Sequence, residues 1–237
     1  MDYLTTSCRS LLKASDRDFV FSVFLESGES PEVLEQLAED SQAYDSLLED
    51  ERLFQAIVDS PVVVPFSSAL YFYVLARRAL SRFGLDSRDL ADYVAVVLMN
   101  YLEPHESVQD GWPHLYWVDF LESLEGLEGG ERFYKTLDWA NSALFITGVF
   151  PDYVEKRVNR SGAPSLSFYE SVGASCFRMV EGHALAGEFN LREVFSALGE
   201  GFSRARQALN VLRDRMIFIR YPIEIDVLGG EQEGDHL

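Results

Sequence analysis

Two polar side chains fall on otherwise apolar helical rows, and they are the first residues in the chain that could do chemistry. Asn141 lies on the row Leu137, Asn141, Leu144, Gly148; His183 lies on the row Val172, Cys176, Met179/Val180, His183. A buried amide or imidazole left without a hydrogen bond costs about 1–3 kcal/mol. Each is therefore expected to satisfy a backbone carbonyl or a neighbouring side chain, or else to line a polar pocket between helices. Tyr71, Tyr73, Trp139 and Tyr169 could add donors to such a pocket, and Arg77 or Arg178 a charge. Apolar walls with a few convergent polar groups suit a small ligand. The predicted ligand-binding set is Asn141, His183, Tyr73, Arg77 and Tyr169.

Other chemistries lack their residues. The four histidines are His105, His114, His183 and His236. A helical di-metal carboxylate site needs Glu-x-x-His on inward faces, and neither His105, His114 nor His183 has a Glu three residues before it. Asp110 and His114 are separated by Gly111 and Pro113, which argues against a shared helical face. The two cysteines, Cys8 and Cys176, are too few for a thiolate zinc site. No metal or cofactor is expected. There is no phosphate-binding GxxxxGK[ST] loop, and Gly199-Glu-Gly201 sits inside an amphipathic helical pattern rather than after a strand. No GxSxG elbow occurs, and Cys176 reads as a buried, inert thiol. No catalytic residue is assigned, and the chain reads as a non-enzyme, with an activity built from dispersed residues as the remaining alternative.

Charge narrows the partners. The net charge is −19 over 237 residues, which opposes nonspecific binding to nucleic acid or to anionic lipid. Only three of the 20 basic residues are lysines (Lys13, Lys135, Lys156). An acid-rich, lysine-poor composition fits a salty habitat or a GC-rich genome as well as an acidic binding face. Residues 1–60 hold 14 acidic and 4 basic residues, a net −10, so any acidic docking face is expected in the N-terminal quarter. The arginines Arg192, Arg204, Arg206, Arg213, Arg215 and Arg220 are expected to pair with the chain's own carboxylates. The scattered cysteines and the absence of a basic, apolar leader after Met1 predict a reduced, cytoplasmic setting. The charge-free run from Ser60 to Ala76 is short for a membrane span, contains Pro61 and Pro65, and reads as a helix buried on all sides.

These residues must be positioned almost entirely by helices. Apolar periodicity predicts helices over residues 2–14, 16–27, 31–39, 45–60, 66–83, 86–102, 114–125, 132–149, 165–187 and 190–215, with a further turn or two over 152–157. Ser30-Pro31, Asp86 and the capping box Asn190-x-x-Glu193 mark three of the starts. Gly28, Gly84, Gly126, Gly129 and Gly130 mark turns. The predicted fold is all-α: a single compact domain of about nine or ten helices over residues 1–228, with a disordered tail over 229–237.

One segment breaks the helical pattern. Ile217, Ile219, Tyr221, Ile223, Ile225 and Val227 alternate with other residues at strand spacing. The extended segment Pro61 to Pro65 is the one good internal partner for such a strand. Otherwise the strand must pack across helices or pair with another molecule. The leading functional expectation is a protein-interaction or regulatory module that self-associates through residues 217–227 or takes a protein partner. The alternative is a small-ligand binder or sensor at Asn141 and His183.

Overall fold

Carboxylates and hydroxyls that capture backbone N–H groups cut the first sixty residues into short helices. In the computed structural model, which describes residues 4–60, 65–102, 117–161 and 163–216, α1 spans Ala14–Glu26, α2 Pro31–Glu39, α3 Ser41–Leu48 and α4 Glu51–Val58. Ser30 Oγ accepts the Val33 N–H at the head of α2, with Pro31 in the first turn as expected. Asp40 accepts the Gln42 N–H at 2.8 Å and starts α3. Asp50 accepts the Arg52 N–H at 2.8 Å and starts α4. The single helix predicted over 45–60 is therefore two, because the Asp50 carboxylate competes with the helical carbonyl for the donor.

The helix predicted over 2–14 is also corrected. Among the described residues this stretch holds only a 3-10 turn, Arg9–Leu11. The Cys8 and Arg9 N–H groups are taken by the Asp92 carboxylate, at 3.1 and 2.8 Å, instead of by preceding carbonyls.

The longer helices form the interior: α5 Ser68–Arg82, α6 Arg88–Leu102, α8 Gly129–Val149, α10 Leu166–Glu181 and α12 Arg192–Met216, with the shorter α7 Trp117–Ser123, α9 Pro151–Ser161 and α11 Ala184–Glu188 between them. Among the described residues there are 12 α-helices and no strand, and the arrangement is all-α and compact. α8, α10 and α12 pack on one another, α12 also packs on α5, and α5 packs on α6. The 3-10 turn and α4 pack on α5, α1 and α3 pack on α4, and α2 packs on α1 and α3. Every residue of α6 from Leu90 to Met99 is buried, and so is α5 from Ala69 to Ala76. Among the described residues no helix is long and apolar enough to cross a membrane.

Two features set how closely these helices meet. At Gly173 on α10 a Cβ would lie 2.5 Å from the Phe202 ring, and at Gly148 on α8 it would lie 2.8 Å from Leu209 Cβ. Only hydrogen at these positions lets α12 approach so near. Buried Asp16 is the second feature. Its carboxylate accepts the Lys13 N–H at 2.7 Å, the Ser67 N–H at 2.6 Å and the Ser67 hydroxyl at 2.8 Å, so the heads of α1 and α5 share one anion.

Three further boundaries differ from expectation. Ser87, not Asp86, caps α6, its Oγ accepting the Leu90 N–H at 3.2 Å. Asn190 adopts a left-handed φ of 56°, and α12 begins two residues later. The helix predicted over 165–187 ends at Glu181, and α11 restarts after His183. The strand-like segment 217–227, the segment 61–64, the tail 229–237, and His105, His114 and His236 lie outside the described residues.

Candidate functional site

The α5 sequence places Val74, Arg77, Arg78 and Ser81 at i, i+3, i+4 and i+7, one face of a helix. That face meets Leu48, Glu49 and Phe54, from the end of α3 and from α4. The seven residues line a cavity of about 110 Å³. Leu48, Phe54 and Val74 are its buried apolar wall.

Its polar side is charged. Arg77 Nε donates to Glu49 Oε1 at 3.1 Å, and Arg88 Nε donates to the same oxygen at 2.6 Å. Burial pushes the Glu49 carboxyl up, but the hydrogen bonds and charges of Arg88 and Arg77 outweigh it and hold the group below the usual carboxylate range. Arg78 pairs with Glu51, and its guanidinium lies 5.7 Å from the centroid of the Phe54 ring. Two buried donors on this face have no hydrogen-bond acceptor: Arg77 Nη1, whose nearest ion-pair partner is Asp86 at 3.6 Å, and Arg78 Nε. Ser81 Oγ donates to Asp86.

The network continues toward the 3-10 turn. Arg9 donates to Asp45 at 2.9 Å, Asp89 at 2.9 Å and Asp92 at 3.3 Å, while Arg88 also lies 3.5 Å from Asp45. Tyr73, one turn before Arg77, is fully buried, with the Arg9 guanidinium 5.7 Å from its ring centroid. Its hydroxyl has no hydrogen-bond partner. Burial first, and then the charges of Asp45, Glu49 and Asp92, push the phenol well above its ordinary value; Arg9 opposes them.

Of the five ligand-binding residues expected from sequence, Tyr73 and Arg77 thus come together on α5, bordering a shared network. The other three sit elsewhere. Asn141 is fully buried on α8; it accepts the Tyr93 hydroxyl at 2.9 Å, and its Nδ2 has no hydrogen-bond partner. Tyr169 is buried on α10, its ring 6.3 Å from Trp139. His183 is not inside a helix: its Nδ1 caps α11 by accepting the Leu185 N–H at 3.2 Å, and its ring lies 5.0 Å from Phe133. Phe133 precedes Asn141 by eight residues on α8, about 12 Å along the axis. Asn141 and His183 therefore do not share one pocket. Met179, on the row assigned to His183, is 52% exposed.

Sequence reasoning missed Glu49, Arg78, Ser81 and the Arg9–Asp45–Asp92 set. The available signal was Arg77-Arg78 in an otherwise apolar helix. Two of the late arginines do pair within the chain, Arg206 with Glu170 and Arg213 with Asp152 at 2.9 Å. Among the described residues no group of three or more His, Cys, Asp or Glu side chains is arranged to hold a metal ion. Cys176 is fully buried, and burial pushes its thiol up to about 12.

A second surface is defined by charge. From residue 18 to residue 51 the chain holds eleven carboxylates and no Lys, Arg or His. Glu26, Glu29, Glu32, Glu35, Glu39 and Asp40 are exposed on α1 and α2 and the turns that flank α2. Glu32, Glu35 and Glu39 fall at i, i+3 and i+7, on one side of α2. Val33 and Leu25, each 42% exposed, are large apolar side chains in the same stretch.

Comparison with known proteins adds no identity: no family model, no curated protein and no solved structure matches the chain.

Proposed function

We propose that this protein is a non-enzymatic interaction module whose α1–α2 surface receives a basic protein segment with apolar residues. The observation that carries the reading is the stretch 18–51, in which every charged residue is acidic, displayed as exposed Glu26, Glu32, Glu35 and Glu39 with exposed Val33 and Leu25 in the same stretch. Glu32 to Glu39 spans about 10 Å of helix, close to one Debye length at 0.1 M salt, so the three charges on that side act together. Complementary charge speeds encounter and selects against acidic competitors, and the apolar side chains supply contact area. The strand-spaced segment Ile217 to Val227 supports a second contact, self-association by strand pairing.

The test uses a fluorescent synthetic Lys/Leu amphipathic helix as probe. Glu32→Gln/Glu35→Gln/Glu39→Gln should weaken binding by about fivefold or more. The control Glu125→Gln/Glu188→Gln/Glu200→Gln removes the same charge elsewhere and should weaken it far less. Equal losses in the two variants would show a nonspecific charge effect and end the proposal. Native mass spectrometry of the whole chain reads self-association directly, and a monomer at micromolar concentration would remove the second contact.

A further inference from the structure

The cavity between α4 and α5 raises a separate question, because it holds two cationic donors that the fold leaves without acceptors. Arg77 Nη1 and Arg78 Nε are buried and lack hydrogen-bond partners. An unmade hydrogen bond to a buried charged group is costly, so water or a solute must meet them. At about 110 Å³ the cavity has room for about three waters, or a solute of similar size.

We propose that this cavity is a binding site for a short-chain carboxylate. Three observations favour an anionic occupant with a small apolar end. Arg77 is ion-paired with Glu49 and Asp86, and Arg78 with Glu51, yet each keeps one buried N–H that no acceptor meets. Glu49, the carboxylate on the lining, is already engaged by two arginines, Arg77 and Arg88. The apolar part of the lining, Leu48, Phe54 and Val74, accommodates methylene groups but offers nothing to a third or fourth oxyanion oxygen. A planar carboxylate can accept from both guanidinium groups, as arginine forks commonly arrange. With so few atoms, the ligand binds in the millimolar range. The site uses none of the α1–α2 residues, so it stands or falls independently of the interaction reading.

The experiment compares sodium acetate, propionate and butyrate with sodium chloride at equal ionic strength, followed by thermal unfolding and by isothermal titration calorimetry on the full chain. A saturable rise in melting temperature with propionate, beyond that with chloride, is expected. Arg78→Gln should weaken it at least fivefold, and Arg157→Gln on α9 should leave it unchanged. Arg78→Lys, which keeps the charge but removes the Nε donor, provides a second, milder variant should Arg78→Gln unfold. A response equal to that of chloride, or one that survives both Arg78→Gln and Arg78→Lys in folded protein, overturns the proposal.

Discussion

Replacing Asp16 tests how much of the N-terminal architecture hangs on a single buried anion. Its carboxylate accepts three hydrogen bonds, from the Lys13 N–H, the Ser67 N–H and the Ser67 hydroxyl. Hydrogen bonds to charged groups contribute about 1.5–3 kcal/mol each, whereas a donor left unpaired costs about 1–3 kcal/mol only where water cannot replace the partner. Lys13 is exposed and its N–H can be hydrated; Ser67 is half-buried and is the larger loss. Relief from burying a charge offsets part of the total. Asp16→Ala should therefore destabilise by about 3 kcal/mol, which for a chain of this size is about 6–12 °C in melting temperature. Asp16→Asn keeps the volume and one carbonyl, so it retains the Ser67 N–H bond but turns an amide donor toward Lys13. About half the loss is expected. Circular dichroism at 222 nm during heating measures both. A cycle with Ser67→Ala isolates the shared bond, with a coupling of about 1 kcal/mol or more. If Asp16→Ala lowers the melting temperature by less than 2 °C, or if the Asp16 and Ser67 effects simply add, the shared-anion account is wrong.

Two more outcomes follow from packing and charge. Gly173→Ala should cost about 1–3 kcal/mol because its methyl meets the Phe202 ring, whereas Gly182→Ala, with nothing nearer than 3.7 Å, should be close to neutral; comparable denaturation midpoints for the two would refute the close-approach reading. The folded-state pKa of Glu49 is depressed by Arg88 and Arg77, so its contribution to stability is full above the unfolded value of about 4.3 and is lost as pH falls through the lower folded value. Glu49→Gln should therefore flatten the fall in stability below about pH 4.3, and an unchanged acid limb in urea melts would show that the pairing contributes nothing.

The fold class was readable because most helices carry an apolar stripe or are apolar throughout. Residues 66–83 were expected as a buried central helix, and α5 occupies Ser68–Arg82 with Gly84 at a φ of 71° just after it. What was not readable was side-chain competition for backbone donors. Asp50 divides a continuous apolar pattern because its carboxylate reaches Arg52 N–H, and Asp92 holds residues 8 and 9 from 84 and 83 positions away. Periodicity carries no information about such distant partners. The candidate site follows the same logic. Tyr73 and Arg77 stood out as polar residues on an apolar helix, but Glu49 lies at a helix end whose position depends on Asp50. His183 was misplaced because Gly182 ends α10 there, and an imidazole can cap a helix as readily as it can sit on an apolar row.

The order in which the interior helices appear has a consequence for biosynthesis. α5 and α6 are the most fully buried pair, yet one of their main covers, α12, begins ninety residues after α6 ends. At roughly 5–20 residues per second, a ribosome takes about 5–20 s to cover that distance. Through that interval the nascent chain carries two apolar helices without their final lid. The acidic segment that precedes them emerges from the ribosome first, and its like charge disfavours association between neighbouring chains of the same sequence through that interval.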